Sequence, residues 1–168
     1  MLKCLNLISP TCPFNYRKTH LIKVPKELIY ATVLDIPSYS RFLPWCEKSH
    51  WIDDVVTAGP SISQGQRRAR LTVNFKLLKE SYVSEVTFEP CSLVRAVAAD
   101  SSLFETLDTV WEFEEQSNAT LIKFYIIFKF HFGGYQSISA SLGRMLTDTM
   151  LERFVKECHR RHSSLILN

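Results

Sequence analysis

The stretch Leu107-Asp108-Thr109-Val110-Trp111-Glu112-Phe113 limits most sharply what this chain can fold into. Its side chains alternate. Leu107, Thr109, Trp111 and Phe113 point to one face of a strand, and Asp108, Val110 and Glu112 to the other. One face of a sheet is therefore bulky and apolar while the other is mostly charged. The apolar face has to be covered. The long helical pattern able to cover it is C-terminal, from Tyr135 to about His162. There Ile138, Leu142, Met145, Leu146, Thr149 and Met150 fall in one broad stripe, which rotates onward through Leu151, Phe154, Val155 and Cys158. A curved sheet closed by one long helix either packs solid or encloses a ligand.

The rest of the chain supplies the sheet. Tyr16 to Val24 reads as a first strand. Pro25 can open a helix through Leu34, and Pro37 a second short one through Phe42 that ends near Pro44. Strands are expected near 48–57, 66–75, 78–88, 92–99, 107–114 and 119–131. Turns fall at Ala58-Gly59-Pro60-Ser61, Glu89-Pro90-Cys91 and Gln116-Ser117-Asn118. Strands so close together, joined by short turns, form an antiparallel meander. The order of strand, two short helices, six strands and a long helix is an α+β, helix-grip arrangement. The expected organisation is a leader over 1–15, one domain over 16–162 and a short tail over 163–168.

Composition narrows the function. The chain has 168 residues, room for one domain with a real core. Gly is scarce, at 5, and no Gly-rich phosphate loop stands out. The apolar run Leu121–Phe132 is broken by Lys123, Lys129 and His131 and is too short to span a bilayer. Net charge is +3, but Lys3, Arg17, Lys18, Lys23 and Lys26 all precede the first acid, Glu27. The remainder carries 15 basic against 17 acidic residues, so the folded body is not a basic nucleic-acid binder in bulk. Arg67, Arg68 and Arg70 form one local cluster: a solvated strand edge, or a contact for lipid or RNA phosphate. The five cysteines are odd in number and contain no C-x-x-C pair, which points to a reducing compartment rather than a disulfide framework or a zinc site. His159 and His162 lie at i, i+3 spacing with no third ligand suggested, as a solvated helix end would have them.

No motif for catalysis emerges. There is no G-x-S-x-G and no H-E-x-x-H, and the acids of 107–113 fall on the charged face. A binding module asks for less: an apolar wall and a few orienting polar groups. Leu71, Val73 and Phe75, then Leu107, Trp111 and Phe113, then Phe124, Ile126 and Phe128 are candidates for the wall. Leu142, Met145, Leu146 and Met150 would come from the helix. Thr109, Tyr82 and Trp111 offer hydrogen-bonding groups. From periodicity alone, a filled core explains these stripes better than a ligand wall does.

Three segments resemble a known family. Tyr39-Ser40-Arg41-Phe42-Leu43-Pro44-Trp45-Cys46 is similar to the Y-x-x-F-[LV]-P-W-C segment of mitochondrial coenzyme Q-binding proteins with a START-type (Bet v 1-like) fold. Glu80-Ser81-Tyr82-Val83-Ser84-Glu85-Val86 resembles their E-x-Y-x-S-x-V strand. Leu103-Phe104 through Trp111 and Phe113 resembles their L-F-x-x-L-x-T-x-W-x-F strand. The resemblance runs from about Tyr16 to Arg161. It implies about seven strands wrapped on the C-terminal helix, and a long tunnel that takes a polyprenyl quinone, ubiquinone, with its tail buried. No catalytic cofactor, enzymatic activity or nucleic-acid partner is expected. The implied setting is the matrix side of the mitochondrial inner membrane, with its surface and proteins of quinone synthesis or the respiratory chain as partners. Phe42, Leu43 and Trp45 would then sit at the lip of the tunnel, where Trp suits a membrane interface; an ordinary helix-to-strand corner with Trp45 packed inward is the other reading. The acid-free segment Met1–Asn15 is either a short mitochondrial presequence or a disordered leader. Bacterial members of the superfamily are described as ribosome-association toxins. A ribosome-associated regulator would show a continuous basic face around Arg67, Arg68 and Arg70, and a polyketide aromatase or cyclase would need an acid or base inside the cavity.

Overall fold

The computed structural model describes residues 13–52, 65–75, 78–131 and 136–167, with side chains omitted at 75, 78 and 136–142. Seven antiparallel strands form one sheet. They are β1 (Phe14–Ile22), β2 (Cys46–Trp51), β3 (Gly65–Phe75), β4 (Leu78–Glu89), β5 (Leu93–Asp100), β6 (Phe104–Gln116) and β7 (Ala119–Phe130). Helix α1 (Lys26–Leu34) and a 3₁₀ helix (Ile36–Arg41) follow β1, and α2 (Gln136–Ile166) closes the chain. The expected element order is met throughout. The start of the expected strand 48–57 is β2; its end, the turn at 58–61 and the leader up to Cys12 lie outside the described residues.

Strand order is β1-β7-β6-β5-β4-β3-β2. Strands β2 to β7 are a plain meander. β1 sits at the far edge against β7, so α1 and the 3₁₀ helix carry the chain from one edge to the other. This places them under one end of α2. The alternation read in the sequence is the alternation found: Thr120, Ile122, Phe124, Ile126 and Phe128 of β7 are buried in strict succession, as are Leu107, Trp111 and Phe113 of β6. The outer face is paired by charge. Arg95 holds Asp108 through two bonds of 3.0 and 2.6 Å, and Lys129 reaches Glu105 at 2.7 Å. The turn signals at Cys91 and Ser117 take left-handed backbone, with φ of 54° and 51°.

At ~1.5 Å per residue, the 31 residues of α2 span about 46 Å. The helix packs against α1, β1 and β7. Its buried side follows the expected stripe at Leu151, Phe154 and Cys158 and departs from it nearer the start of the helix, where Gly143 and Thr147 face inward and Met145 is 56% exposed. Gly143 is the physical reason. A Cβ there would come within 2.8 Å of the Phe128 ring and 3.2 Å of Phe14, so the bare backbone lies directly on the sheet and sets the helix rotation. On the next turn Asp148 accepts hydrogen bonds from the Tyr16 hydroxyl and, at 2.8 Å, from Lys18, tying the same side to β1.

Candidate functional site

Because α2 leans on the β1 and β7 side, the inward face of β3 to β5 is left partly open. Small residues, Ala69, Ser84, Ala96 and Ala98, alternate there with larger ones such as Leu71, Tyr82, Val86 and Val94. The space that results is a cavity in two adjoining lobes. The inner lobe, of about 100 Å³, ends on Val33, Ile36, Val94 and Phe154. The outer lobe, of about 120 Å³, is walled by Phe104, Ile126, Phe128, Phe130 and Leu146. Trp45, Val73, Tyr82, Leu107, Thr109 and Met150 line both and form the waist between them.

Most of the residues picked from the sequence meet here. Leu43, Leu71 and Trp111 line the inner lobe, Phe128 and Leu146 the outer, and Trp45, Val73, Tyr82, Leu107, Thr109 and Met150 the waist. Phe42 does not. Its ring lies 5.8 Å from that of Tyr39 and 5.0 Å from that of Phe154, in the core; at Phe42 the helix-to-strand corner is an ordinary packed one. Trp45 is half-buried and lines both lobes. Met145 lines neither lobe, for the reason Gly143 gives. The side chains of Phe75 and Leu142 lie outside those described. Sequence reasoning missed the small members, Ser84, Ala96 and Cys46, and the deep end made by Val33 and Ile36. The signal was present as small residues at inward positions of β4 and β5, but a search for bulky apolar residues passes over them.

The cavity is neutral. Among the described residues its lining holds no carboxylate, lysine, arginine or histidine. Burial pushes the phenols of Tyr39 and Tyr82 and the thiol of Cys46 upward, so all three stay protonated. The Tyr39 hydroxyl donates to the Val33 carbonyl, and the Cys46 thiol lies 3.6 Å from the Lys48 carbonyl. No hydrogen bond joins the Tyr82 hydroxyl to another described residue, and Tyr82 lines the waist. Ser84 and Thr109 add two more hydroxyls to the inner lobe. A ring carrying carbonyl or ether oxygens would find donors in the inner lobe and at the waist; beyond the waist the outer lobe is walled by Phe104, Ile126, Phe128, Phe130 and Leu146.

Other features carry less. An open groove of about 340 Å³ at the corner of β1 and α1 is polar, with Lys23, Lys26, Glu115 and His162 around it. The arginine cluster is divided by strand alternation. Arg67 turns to the inward side and stacks on Trp51 at 4.2 Å, whereas Arg68 and Arg70 point outward, Arg68 opposite Glu85. The three do not make one basic face. Among the described residues no group of three potential ligands gathers for a metal, and Cys46, Cys91 and Cys158 are free thiols. No described helix is long and apolar enough to cross a membrane.

Residues 22–155 match the model of the family described as polyketide cyclase / dehydrase and lipid transport. The chain belongs to that family. Among curated relatives, the mitochondrial coenzyme Q-binding protein homolog B of Xenopus laevis is 36% identical over 112 residues, 65% of this chain and 43% of its own. The mitochondrial coenzyme Q-binding protein of Drosophila melanogaster is 30% identical over 158 residues, 88% of this chain and 62% of its own. The chain thus spans under two thirds of either. A ribosome association toxin of Rickettsia prowazekii is 27% identical over 84% of this chain and 94% of its own. Among solved structures, the Zhui aromatase/cyclase of a Streptomyces species superposes with a TM-score of 0.74 at 13% identity, covering 89% of this chain and 96% of the other; that likeness speaks to the fold. The helix-grip architecture and the resemblance read from the three sequence segments are both shown.

Proposed function

We propose that this protein binds a polyprenyl quinone of the coenzyme Q type without chemically changing it. The observation that carries the reading is the neutral cavity, in which the hydroxyl-bearing Ser84, Tyr82 and Thr109 line the inner lobe and the waist while aromatic and aliphatic side chains line the outer lobe beyond it. The names of the coenzyme Q-binding relatives support it. Tyr82, Thr109 and Ser84 orient the quinone ring by hydrogen bonds, and Leu107, Ile126, Phe128 and Met150 cover the start of the tail. Burial of apolar surface supplies the affinity, at ~25 cal/mol per Å². Met150 at the waist lets the walls adapt, because its thioether side chain is unbranched and flexible.

In this reading the protein is a lipid carrier or chaperone. It works at the matrix surface of the mitochondrial inner membrane and delivers quinone to respiratory electron transport and to the enzymes of quinone synthesis. The neutral lining supports binding over catalysis, since a cyclase of this fold needs an acid or base beside its substrate. The split arginine cluster gives a ribosome-bound role no continuous basic face.

The test is mass spectrometry of an organic extract of protein purified from a quinone-producing host, with Leu107→Lys as control and circular dichroism to verify folding. The expected outcome is near-stoichiometric polyprenyl quinone, absent from the control. A folded protein that arrives empty would remove the proposal.

A further inference from the structure

The two lobes are small. A cavity of about 150 Å³ takes one benzene ring, and these lobes measure about 100 and 120 Å³. By that measure a substituted ring overfills either lobe alone, and the two lobes together hold the ring and about one or two branched five-carbon units. Among the described residues these lobes are shorter than the long tunnel that the family resemblance implies.

The cavity also has a direction. Its inner end is closed by Val33, Ile36, Val94 and Phe154, each no more than 3% exposed. Ser84 lies in this lobe, with Tyr82 and Thr109 at its entrance. The outer lobe adds Phe104, Phe130 and Leu146, all half-buried. Its own polar residue, Thr147, spends its hydroxyl on the Gly143 carbonyl at 2.8 Å. Met145, adjacent to Leu146 on the same helix, is exposed. Hydrogen-bonding capacity therefore sits at the waist and in the inner lobe, and the surface that leads outward from the waist is apolar.

We propose that the quinone enters ring first, that the ring and only the first one or two isoprenoid units are enclosed, and that the rest of the tail leaves between Phe104, Phe130 and Leu146 and stays in the bilayer. This rests on the quinone reading above and narrows it. Hydrocarbon left outside the chain cannot lie in water without a large penalty, so the protein handles its ligand at the membrane face, presenting the ring while the tail remains anchored. It does not ferry a long-tailed quinone through water.

The experiment is a titration of the folded protein with quinones that share one dimethoxy-methyl ring and carry no, one, two, three or four isoprenoid units, read by quenching of tryptophan fluorescence. Each newly enclosed unit raises affinity by about 10-fold or more, since a buried methylene is worth a factor of roughly four. The expected result is a rise over the first one or two units, followed by values within about three-fold of one another. A gain of about 10-fold repeated at the third and fourth units overturns the inference and leaves the quinone reading standing. Tyr82→Phe is expected to weaken the tail-free ring by about five-fold with the same length dependence, the loss of one hydrogen bond. Unchanged binding of that ring would overturn the ring-first orientation. If no quinone quenches but a fatty acid does, the quinone reading itself fails.

Discussion

The two sides of the sheet show the same alternation and do different things with it. On β6 and β7 the inward positions are large: Leu107, Trp111, Phe113, Ile122, Phe124, Ile126 and Phe128. On β3, β4 and β5 they include Ala69, Ser84, Ala96 and Ala98. Helix α2 lies on the side of the large residues, where Trp111 meets Phe124 at 4.4 Å and Phe154 at 4.8 Å. Side-chain size, rather than polarity, thus decides where the protein is solid and where it is hollow. A helix packed tightly on one half of a curved sheet cannot also touch small residues on the other half, and the gap is the cavity.

The comparison is broken most severely by hollowing the solid side. Phe124 is fully buried, touching Tyr16 as well as Trp111. Phe124→Ala should cost about 3–5 kcal/mol in chemical denaturation, the range for a large aromatic removed from a packed core. A loss below about 1 kcal/mol would mean that this half is not tightly packed after all.

A smaller blow lands on the closest approach of helix to sheet. Gly143→Ala gains helix propensity of about 1 kcal/mol but drives a methyl group into the Phe128 ring, itself 4.9 Å from that of Phe14. The overpacking cost of about 1–3 kcal/mol should outweigh the gain, leaving a net loss near 1 kcal/mol. Thermal unfolding would register it as a lowered Tm. A raised Tm would show that α2 has room to lift.

How α2 sits was the part of the fold least legible in the sequence. The strands could be read because alternation reports burial directly: Thr109 and Trp111 face inward simply by parity. The helix could not, because its apolar residues cover more than half its circumference and do not single out one side. What chose the side was a residue without a side chain, Gly143, and a pair of long-range polar contacts from Tyr16 and Lys18 to Asp148. No periodicity records either. The candidate site divides the same way. Tyr82, Leu107 and Met150 were found because they are large, whereas Ser84 and Ala96 were overlooked because a hollow is announced by small residues. Val33 and Ile36 reach the cavity through a chain crossing that local patterns do not contain.

The opposite end of α2 is held by charge, and acid should sharpen the contrast between its two ends. Glu157 accepts hydrogen bonds from Arg160 and Arg161 at 2.7 and 2.8 Å. Arg161 continues to Asp35 at 2.8 Å and to the Ser38 hydroxyl at 2.9 Å, joining the helix to the segment after α1. The hydrogen bonds from Arg160, opposed by burial, hold the Glu157 carboxyl down at about 2. Its folded pKa lies below the ordinary 4.5, so the stabilisation is complete above that value and is lost as pH falls through about 2. With solvent screening allowed for, Glu157→Gln should cost roughly 1–2 kcal/mol at pH 7 and little at pH 2. Equal losses at both pH values would show that the side chain acts by packing alone.

The mildest change to folding is the most telling for function. Ala96 faces Thr109 across the β5–β6 pair and Val86 across β4–β5, on the floor of the inner lobe. Ala96→Leu adds three carbons to that floor. On the solid side an addition of this size would strain its neighbours, but here it enters empty space. The stability measured by denaturation should therefore stay within about 1 kcal/mol of the parent, while binding of a tail-free quinone ring should fall by more than about 10-fold, because the ring's place is taken. The same substitution thus separates the two roles of an inward position. If stability drops by about 3 kcal/mol instead, the small residues of β3 to β5 are themselves packed core, and the cavity does not persist in solution. If stability holds and the ring still binds at full strength, the ring lies in the outer lobe and the hydroxyl of Ser84 is not what orients it.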